Sequence, residues 1–182
     1  PIEVSSTFTE VQGTLIHGGG SMEVRNRVRG IAYDLNVAKI TVRRVPDQPG
    51  IAASYFEALA SKGISVDTIV QNTSKEGLTD LSFTVARTDL PLALEQVVAE
   101  SGNSGGEEVI HDASLGKVSI VGTGMREGSG YASRMFRILA DNNVNIVMIT
   151  TSEIRITCII EESLLEVATR ALHAGFELEK SD

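Results

Sequence analysis

The amino-acid sequence predicts an α+β fold in which a βαββαβ unit of strands and helices occurs twice. The main observation is an internal repeat: the segment that starts at Lys39 resembles the segment that starts at Lys117. A period this long indicates two copies of a small domain, since solenoid repeats run to about 20–50 residues. Six residues recur at an offset of 80 positions: Gly50, Ala52, Phe56, Leu59, Ala60 and Ile69 correspond to Gly130, Ala132, Phe136, Leu139, Ala140 and Ile149.

The first half of the first copy is a strand followed by a helix. Residues 39–45 are rich in β-forming side chains, and a turn at 46–50 leads into the helix. Pro49 suits the first turn of that helix, where its missing N–H costs least. Lys62 and Gly63 are predicted to end the helix. One apolar face is predicted to point to the core: Ala52, Tyr55, Phe56 and Leu59.

Two alternating strands and a second helix complete the first copy. Apolar residues alternate over 64–70 and again over 81–85, which is typical of strands with one buried face. Asp89 is predicted to cap a helix that has Pro91 near its start and runs to about Glu100. A Gly/Ser-rich loop at 101–106 and a short strand at 108–112 follow.

The second copy keeps the order of elements but lacks a fourth strand. We expect strands at 117–121, 144–148 and 154–158 and helices at 130–142 and 162–173, after which little chain remains. Val28, Ile31 and Tyr33, which precede the first copy, are the candidate for the missing strand. The prediction is therefore two ferredoxin-like domains, the first inserted into the second. Their predicted limits are 35–112 for the first and 23–34 plus 113–182 for the second, while 1–22 belong to neither copy.

Composition narrows the class of protein. Hydrophobic content of 42% with charged content of 22% is ordinary for a soluble globular protein, and no membrane span or signal peptide is expected. A net charge of −8, few aromatic residues and no Trp argue against nucleic-acid binding. The single cysteine, Cys158, favours a reducing cytoplasmic setting. It alternates with Ile154 and Ile156, which marks it as a core thiol.

Glycines at the strand-to-helix turns are the first candidate for chemistry. Gly50 lies at the mouth of one helix, and Gly122, Gly124, Gly128 and Gly130 precede its counterpart. Glycine lets a ligand approach the backbone, and free N–H groups at a helix start attract a carboxylate. Asp47 is placed to hold an ammonium group, so the pair suits a free α-amino acid. The alternative is that residues 46–50 form only a tight turn.

A second interpretation of the glycines is a dinucleotide fingerprint, but the spacing G-x-G-x-x-x-G and the lack of an acid after the next strand disfavour it. The three histidines show no spacing of metal ligands, so no metal site and no cofactor is expected. Polar residues at the ends of the second strands suit a small polar ligand or simple solvation. These residues are Asp67, Gln71 and Asn72 in one copy and Asn145, Thr151, Ser152 and Glu153 in the other.

Several stretches together resemble the paired ACT domains that form the regulatory, beta-subunit-like part of aspartate kinase. The matching segments cover about residues 23–175, and Gln48 and Thr150-Thr151 depart from the usual pattern. Residues 2–16 look like the tail of the family's catalytic domain, and the kinase's own start motif is absent, so this chain is not expected to phosphorylate aspartate by itself. The segments that carry the resemblance are 45–50, 64–72, 116–122, 143–146 and 151–156.

The resemblance implies feedback inhibition by L-threonine, L-lysine or both, at sites where the first domain of one chain meets the second domain of its partner in a homodimer. It also implies the aspartate kinase catalytic domain as a partner. A threonine-type site would use Asp47, Gly50, Ile51, Ala52, Gln71 and Asn72, with Asn145 and Ile146 from the other side, and a lysine-type position would use Asp67, Ser152 and Glu153.

Three other classes remain as alternatives. They are an enzyme on a ferredoxin-like fold, a dimerisation module with empty clefts, and an amino-acid sensor of another biosynthetic enzyme. The sequence shows no acid/base or nucleophile constellation, which disfavours the enzyme. A regulatory module that binds an amino acid is the function that the sequence favours.

Overall fold

The computed structural model describes residues 2–4, 14–16, 28–72, 76–123 and 129–179. Its helices are α1 (Ile51–Ser61), α2 (Leu90–Ser104), α3 (Tyr131–Asp141) and α4 (Leu165–Gly175), with short 3₁₀ turns at Arg87–Asp89 and Glu162–Leu164 before α2 and α4. Its strands are β1 (Ile2–Val4), β2 (Thr14–Ile16), β3 (Val28–Pro46), β4 (Val66–Gln71), β5 (Leu78–Val85), β6 (Glu108–Gly122), β7 (Met148–Thr151) and β8 (Arg155–Glu161).

Strands β3 to β8 form one sheet in the order β4-β5-β3-β6-β8-β7, and every neighbouring pair is antiparallel. Strands β1 and β2 pair separately. Each repeat supplies its first, second and third strands in order and takes its fourth from a shared long strand, which is the ferredoxin-like arrangement. Ile31 lies opposite Ile120, and Tyr33 opposite Val118. The predicted α+β fold is confirmed, and the strand before the first copy does pair with the second copy.

The two long strands differ from the prediction, which placed separate strands at 39–45, 108–112 and 117–121. In the structure β3 spans 19 residues and β6 spans 15, so each continues from one repeat into the other. Register shifts in their pairing fall between Asp34 and Lys39, where the repeats join. Backbone pairing therefore runs across the junction, because each long strand serves as the first strand of one repeat and the fourth of the other.

A local sequence repeat lies at this junction. Asp34 is followed five residues later by Lys39, and Asp112 is followed five residues later by Lys117. Because β3 and β6 are antiparallel, Asp34 lies opposite Lys117, and Lys39 lies opposite Asp112. The two halves of the sheet are thus related by a pseudo-twofold axis that passes close to the paired residues Val37 and Leu115.

Each repeat has its own core between the sheet and its two helices. In the first, Tyr55 and Leu59 of α1 are buried against β3 and β5 residues such as Phe83. In the second, Met135 and Leu139 of α3 are the equivalents. A third, smaller cluster joins the halves and consists of Val37, Leu115, Met148 and Ile159, with Val70 packed against it.

The sheet curls so that its two edge strands approach each other. Asp67 of β4 accepts a hydrogen bond of 2.5 Å from Lys117 of β6, although two other strands separate β4 from β6 in the sheet. Val70 of β4 also packs against the cluster that contains Met148 of β7. Contacts between strands that are not neighbours require the face without helices to fold inward.

Hydroxyl groups line this inward face and satisfy one another. Thr41 and Ser82 are joined by a hydrogen bond of 2.8 Å in the first half. Ser119 and Thr157 are joined by one of 2.7 Å in the second half. Paired hydroxyls lower the cost of burying polar side chains within each half.

Some predicted boundaries were wrong. Helix α2 runs to Ser104, so most of the expected loop at 101–106 is helical; the Ser101 hydroxyl is buried and donates to the Gly106 carbonyl at 3.1 Å. Gly105 ends the helix with φ of 84°. Pro49 precedes α1 rather than starting it. Strand β7 begins only at Met148, and Ile154 is exposed because it lies in the turn before β8.

Candidate ligand-binding site

The mouth of α1 is open, and its geometry requires glycine. Gly50 is the N-cap with φ of 98°, in the left-handed region, and no side chain caps the helix. A Cβ built on Gly50 would meet no atom within 4 Å, so conformation and not crowding selects glycine here. The space in front of this turn is therefore accessible to a ligand.

The first turn of α1 presents backbone donors to that space. Ser54 N–H bonds to the Gly50 carbonyl at 3.0 Å, and Ile51 N–H makes a long bond of 3.4 Å to Gln48. Among the described residues, the N–H groups of Ala52 and Ala53 have no hydrogen-bond acceptor. These donors and the positive end of the helix dipole suit a carboxylate. Ile51 and Ala52 are half-buried and supply an apolar wall.

Asp47 and the end of β4 lie in adjoining loops. Asp47 is exposed, and its N–H donates to the Gly77 carbonyl at 2.8 Å, which joins the turn before α1 to the hairpin after β4. Gln71 and Asn72, at the end of β4, are exposed as well. The Asn72 carbonyl accepts a hydrogen bond from the Thr79 hydroxyl. The structure thus brings the turn that carries Asp47 next to the hairpin that follows Asn72, as a ligand site at the helix mouth requires.

A polar cavity of about 320 Å³ borders Asn72. Its wall includes Arg44, whose backbone φ of 53° is left-handed and whose N–H donates to Asp80 at 2.9 Å. The guanidinium of Arg44 pairs with Glu107 at 2.8 Å. The sequence pattern did not indicate Arg44, because its place in the wall of this cavity depends on a bulge between Val42 and Val45.

Asn145 and Ile146 lie elsewhere in the chain's fold. They occupy the segment between α3 and β7, where Asn143 has a left-handed φ of 55°. Asn145 is exposed, and Ile146 packs partly against the second core. Within the described residues, no hydrogen bond or ion pair joins either of them to Asp47 or Asn72. Asp47 lies in the first repeat, before α1, whereas Asn145 lies in the second repeat, after α3.

The lysine-type position is only partly assembled in one chain. Ser152 belongs to a tight turn, in which its N–H donates to the Arg155 carbonyl at 2.7 Å, and Glu153 is exposed beside it. Asp67 lies on β4 and is occupied by the ammonium group of Lys117. The analysis of the sequence missed Lys117. The sequence feature that could have indicated Lys117 is the repeated spacing of an aspartate and a lysine five residues later, at Asp34 and Lys39 and again at Asp112 and Lys117.

The second helix mouth is similar in form. Gly130 is the N-cap of α3 with φ of 103°, and Arg134 N–H bonds to its carbonyl at 2.9 Å. Gly122 ends β6, whereas Gly124 and Gly128 lie outside the described residues. The dinucleotide alternative fails because that fingerprint needs a parallel sheet, and the pairs of β3 to β8 are antiparallel.

Three further findings concern Cys158, the helices and metal-binding groups. The Cys158 thiol is completely buried on β8, and burial raises its pKa to about 12, so the prediction of a core thiol is confirmed. Among the helices that the structure describes, none has the length and apolar character needed to cross a membrane. Within the same ranges, no group of three His, Cys, Asp or Glu side chains is arranged to hold a metal ion.

Fold and helix mouths together define a pair of fused domains of the ACT class. A family model described as ACT domain matches residues 40–100 and 118–176, one match in each repeat. These ranges cover the two sets of strands and helices described above and more than half of the chain.

Comparison with known proteins narrows this class. The chain is 45% identical to an aspartokinase of Pseudomonas aeruginosa over 181 residues, which is 98% of this chain and 44% of that protein. The regulatory subunit of aspartate kinase from Thermus thermophilus, in a ligand-free form, matches with a TM-score of 0.79 and 41% identity over 82% of this chain and 99% of that one. A chain from a structure of aspartokinase alpha and beta subunits matches with a TM-score of 0.78 and 46% identity over 83% and 99%.

The chain belongs to the ACT-domain family and is the regulatory part of an aspartokinase. It spans less than half the length of the Pseudomonas relative, whereas it matches the Thermus regulatory subunit over nearly all of that chain. The expectation that this is the regulatory part of aspartate kinase is confirmed by these matches.

Proposed function

We propose that this chain binds an end-product amino acid, L-threonine, L-lysine or both, and thereby inhibits aspartate kinase as allosteric feedback control. The observation that carries the proposal is the open mouth of α1, where the amide donors of the first helical turn directly follow the turn that carries Asp47. The amides suit the carboxylate of a free amino acid, and Asp47 suits its ammonium group. Ile51 and Ala52 are suited to a small side chain such as that of threonine.

The proposed complex is a homodimer that also contacts the catalytic part of the kinase. Asp47 and Asn145 belong to different repeats of one chain and are not joined there, which supports a site completed by a partner chain. The relative that contains alpha and beta subunits supports a catalytic partner. The single cysteine supports a cytoplasmic location.

We also propose the domain limits expected above, 35–112 for the first ACT domain and 23–34 with 113–182 for the second. Residues 1–22 are then the end of the upstream catalytic domain. The pairing of Ile31 and Tyr33 with β6 supports assigning 23–34 to the second domain.

Inhibition follows from a coupling free energy. An effector that prefers one arrangement of the paired domains shifts the kinase toward that arrangement, typically by about 1–3 kcal/mol. The same coupling requires that the kinase's own state change the affinity for the effector. Inhibition by this coupling requires no catalytic residue in this chain.

A thermal-shift screen of the twenty amino acids tests the proposal. Ligand binding to the folded state raises the melting temperature by mass action. We expect a rise of several degrees with threonine, with lysine or with both, and none with the others. A screen without any shift would favour a dimerisation module without ligand.

Calorimetry of Asp47→Ala tests the residue assignment. Loss of the carboxylate removes the ammonium partner, so we expect threonine affinity to fall by roughly 10- to 100-fold, as for a charge-assisted hydrogen bond. Asp89→Ala is the matched control, since Asp89 is the N-cap of α2 and makes no capping bond. Unchanged affinity in Asp47→Ala would remove Asp47 from the site.

A further inference from the structure

We infer that Lys117 is an internal competitor for the ammonium group of a bound diamino acid, and that it sets how strongly this chain prefers a monoamino effector over lysine. The inference rests on the proposed function, because it concerns the lysine-type position, to which Asp67 belongs. It assigns to Lys117 a role in specificity that is separate from the helix mouth.

The structure places the Lys117 ammonium on the Asp67 carboxylate, the acid that the lysine-type position would offer to a ligand ammonium. Its Nζ lies 2.5 Å from the Asp67 Oδ2 and 3.9 Å from the Asp34 Oδ2. The Lys117 side chain is only 16% exposed, whereas those of Asp34 and Asp67 are 51% and 46% exposed. The carboxylates are therefore open to solvent, whereas most of the Lys117 side chain is covered.

Pseudo-symmetry shows that this contact is an addition to the repeat. Lys39 and Lys117 are equivalent, and each lies opposite an aspartate on the neighbouring long strand. Among the residues that the structure describes, Lys117 has a second acid and its equivalent Lys39 does not, because the residue at the offset of 80 from Asp67 is Val147. The repeat places one aspartate opposite each lysine at the junction, so Asp67 is not explained by the repeat itself.

Competition follows from this occupancy. A lysine ligand whose ε-ammonium reaches Asp67 meets a carboxylate whose charge Lys117 already balances, so the two ammonium groups compete for it, whereas threonine has no second ammonium and does not compete. A tethered side chain competes at a high effective concentration and raises the apparent dissociation constant of its rival. Displacement also removes the contact between β4 and β6 across the curled sheet, which links lysine binding to the fit of the two halves.

The test is calorimetry on the full chain with L-lysine and L-threonine as probes. In Lys117→Met we expect lysine to bind roughly three- to tenfold more tightly, the effect of removing one competing ion pair, and threonine affinity to change less than twofold. Lys39→Met is the matched control, since Lys39 faces no second acid, and should leave both affinities unchanged. Lys117→Arg keeps the cation and should behave like the unaltered chain.

Unchanged or weaker lysine binding in Lys117→Met, with threonine still bound, would overturn the inference and leave the proposed function standing. No binding of either amino acid to any variant would overturn both. Circular dichroism and a melting curve check that the variants fold. If Lys117→Met does not, the side-chain ammonium signal of Lys117 in the NMR spectrum of the unaltered chain decides, since saturating lysine must shift it and threonine must not.

Discussion

At the scale of single residues, the helix mouth depends on a backbone conformation that glycine adopts without strain. Gly50 and Gly130 have φ of 98° and 103° at equivalent positions of the two repeats. Neither is selected by close packing, since an added Cβ would meet no atom within 4 Å at Gly50 and only Ser133 at 4.0 Å at Gly130. The repeated glycine therefore reflects the shape of the turn that the ligand would approach.

We expect Gly50→Ala to lower the free energy of unfolding by about 1–2 kcal/mol, because alanine is strained at a left-handed φ. Gly102→Ala is the control: Gly102 lies within α2, its φ is not positive, and a Cβ there meets nothing within 4 Å. That substitution should instead stabilise by about 0.5–1 kcal/mol. Urea unfolding curves measure both, and equal effects in the two variants would contradict the argument.

Burial of Cys158 predicts a pH dependence. Its pKa is raised to about 12 from an ordinary value of 9.0, so between these values the unfolded chain releases the thiol proton and the folded chain keeps it. The contribution of this thiol to the free energy of unfolding is fully present below about pH 9 and is lost as the pH rises toward 12. At pH 8 we expect iodoacetamide to label the chain in urea but not the native chain. Rapid labelling of the native chain would show that the thiol is accessible.

At the scale of elements, the turns that precede α2 and α4 connect the two repeats. Arg87 donates to the Leu115 carbonyl at 2.9 Å and pairs with Glu162 at 2.7 Å. Arg87 and Glu162 follow the third strand of their respective repeats, β5 and β8. One ion pair thus links equivalent corners of the two halves.

A double-mutant cycle of Arg87→Met and Glu162→Gln should give a coupling energy of about 0.5–1 kcal/mol, reduced by the partial exposure of both side chains. The exposed pair of Arg170 and Glu166 on α4 is the comparison, and its coupling should not exceed about 0.5 kcal/mol. Chemical denaturation of the four chains in each cycle supplies the values. If the coupling energy of Arg87 and Glu162 is no larger than that of the α4 pair, this ion pair does not connect the two repeats more strongly than an exposed surface pair would.

At the scale of the whole molecule, the two domains cannot be separated by a single cut, because the second domain takes a strand that precedes the first domain in the chain. Val28 precedes the first repeat in sequence, yet its side chain is buried in the core of the second. Cys158 belongs to the same core. Stability of the second half therefore depends on residues more than a hundred positions away.

Val28→Ala tests this dependence. We expect a loss of about 1–3 kcal/mol from the missing methyl groups and the cavity, together with faster alkylation of Cys158 in the native state. Val98→Ala, on the exposed face of α2, is the control and should change stability by less than about 0.5 kcal/mol. A cost at Val28 as small as that at Val98 would contradict its place in the second core.

Sequence patterns were informative where local periodicity decides the outcome. Alternation identified β5 and β8, and the apolar stripe identified the buried Tyr55 and Leu59 of α1. The patterns were less informative at boundaries such as the end of α2, because the buried Ser101 and its bond to Gly106 extend the helix through a sequence that is typical of a loop. They indicated the residues of the candidate site but not how those residues meet.

By itself, then, the sequence determined the duplicated βαββαβ order, the insertion of one domain into the other and the glycine at the helix mouth. These follow from spacing along the chain, because turns, caps and strand faces are set by neighbouring residues. Only the tertiary structure decided that the strands fuse across the repeats, that the sheet curls and that Lys117 reaches Asp67. Those features depend on which distant side chains the curl brings together, and no periodicity along the chain encodes that distance.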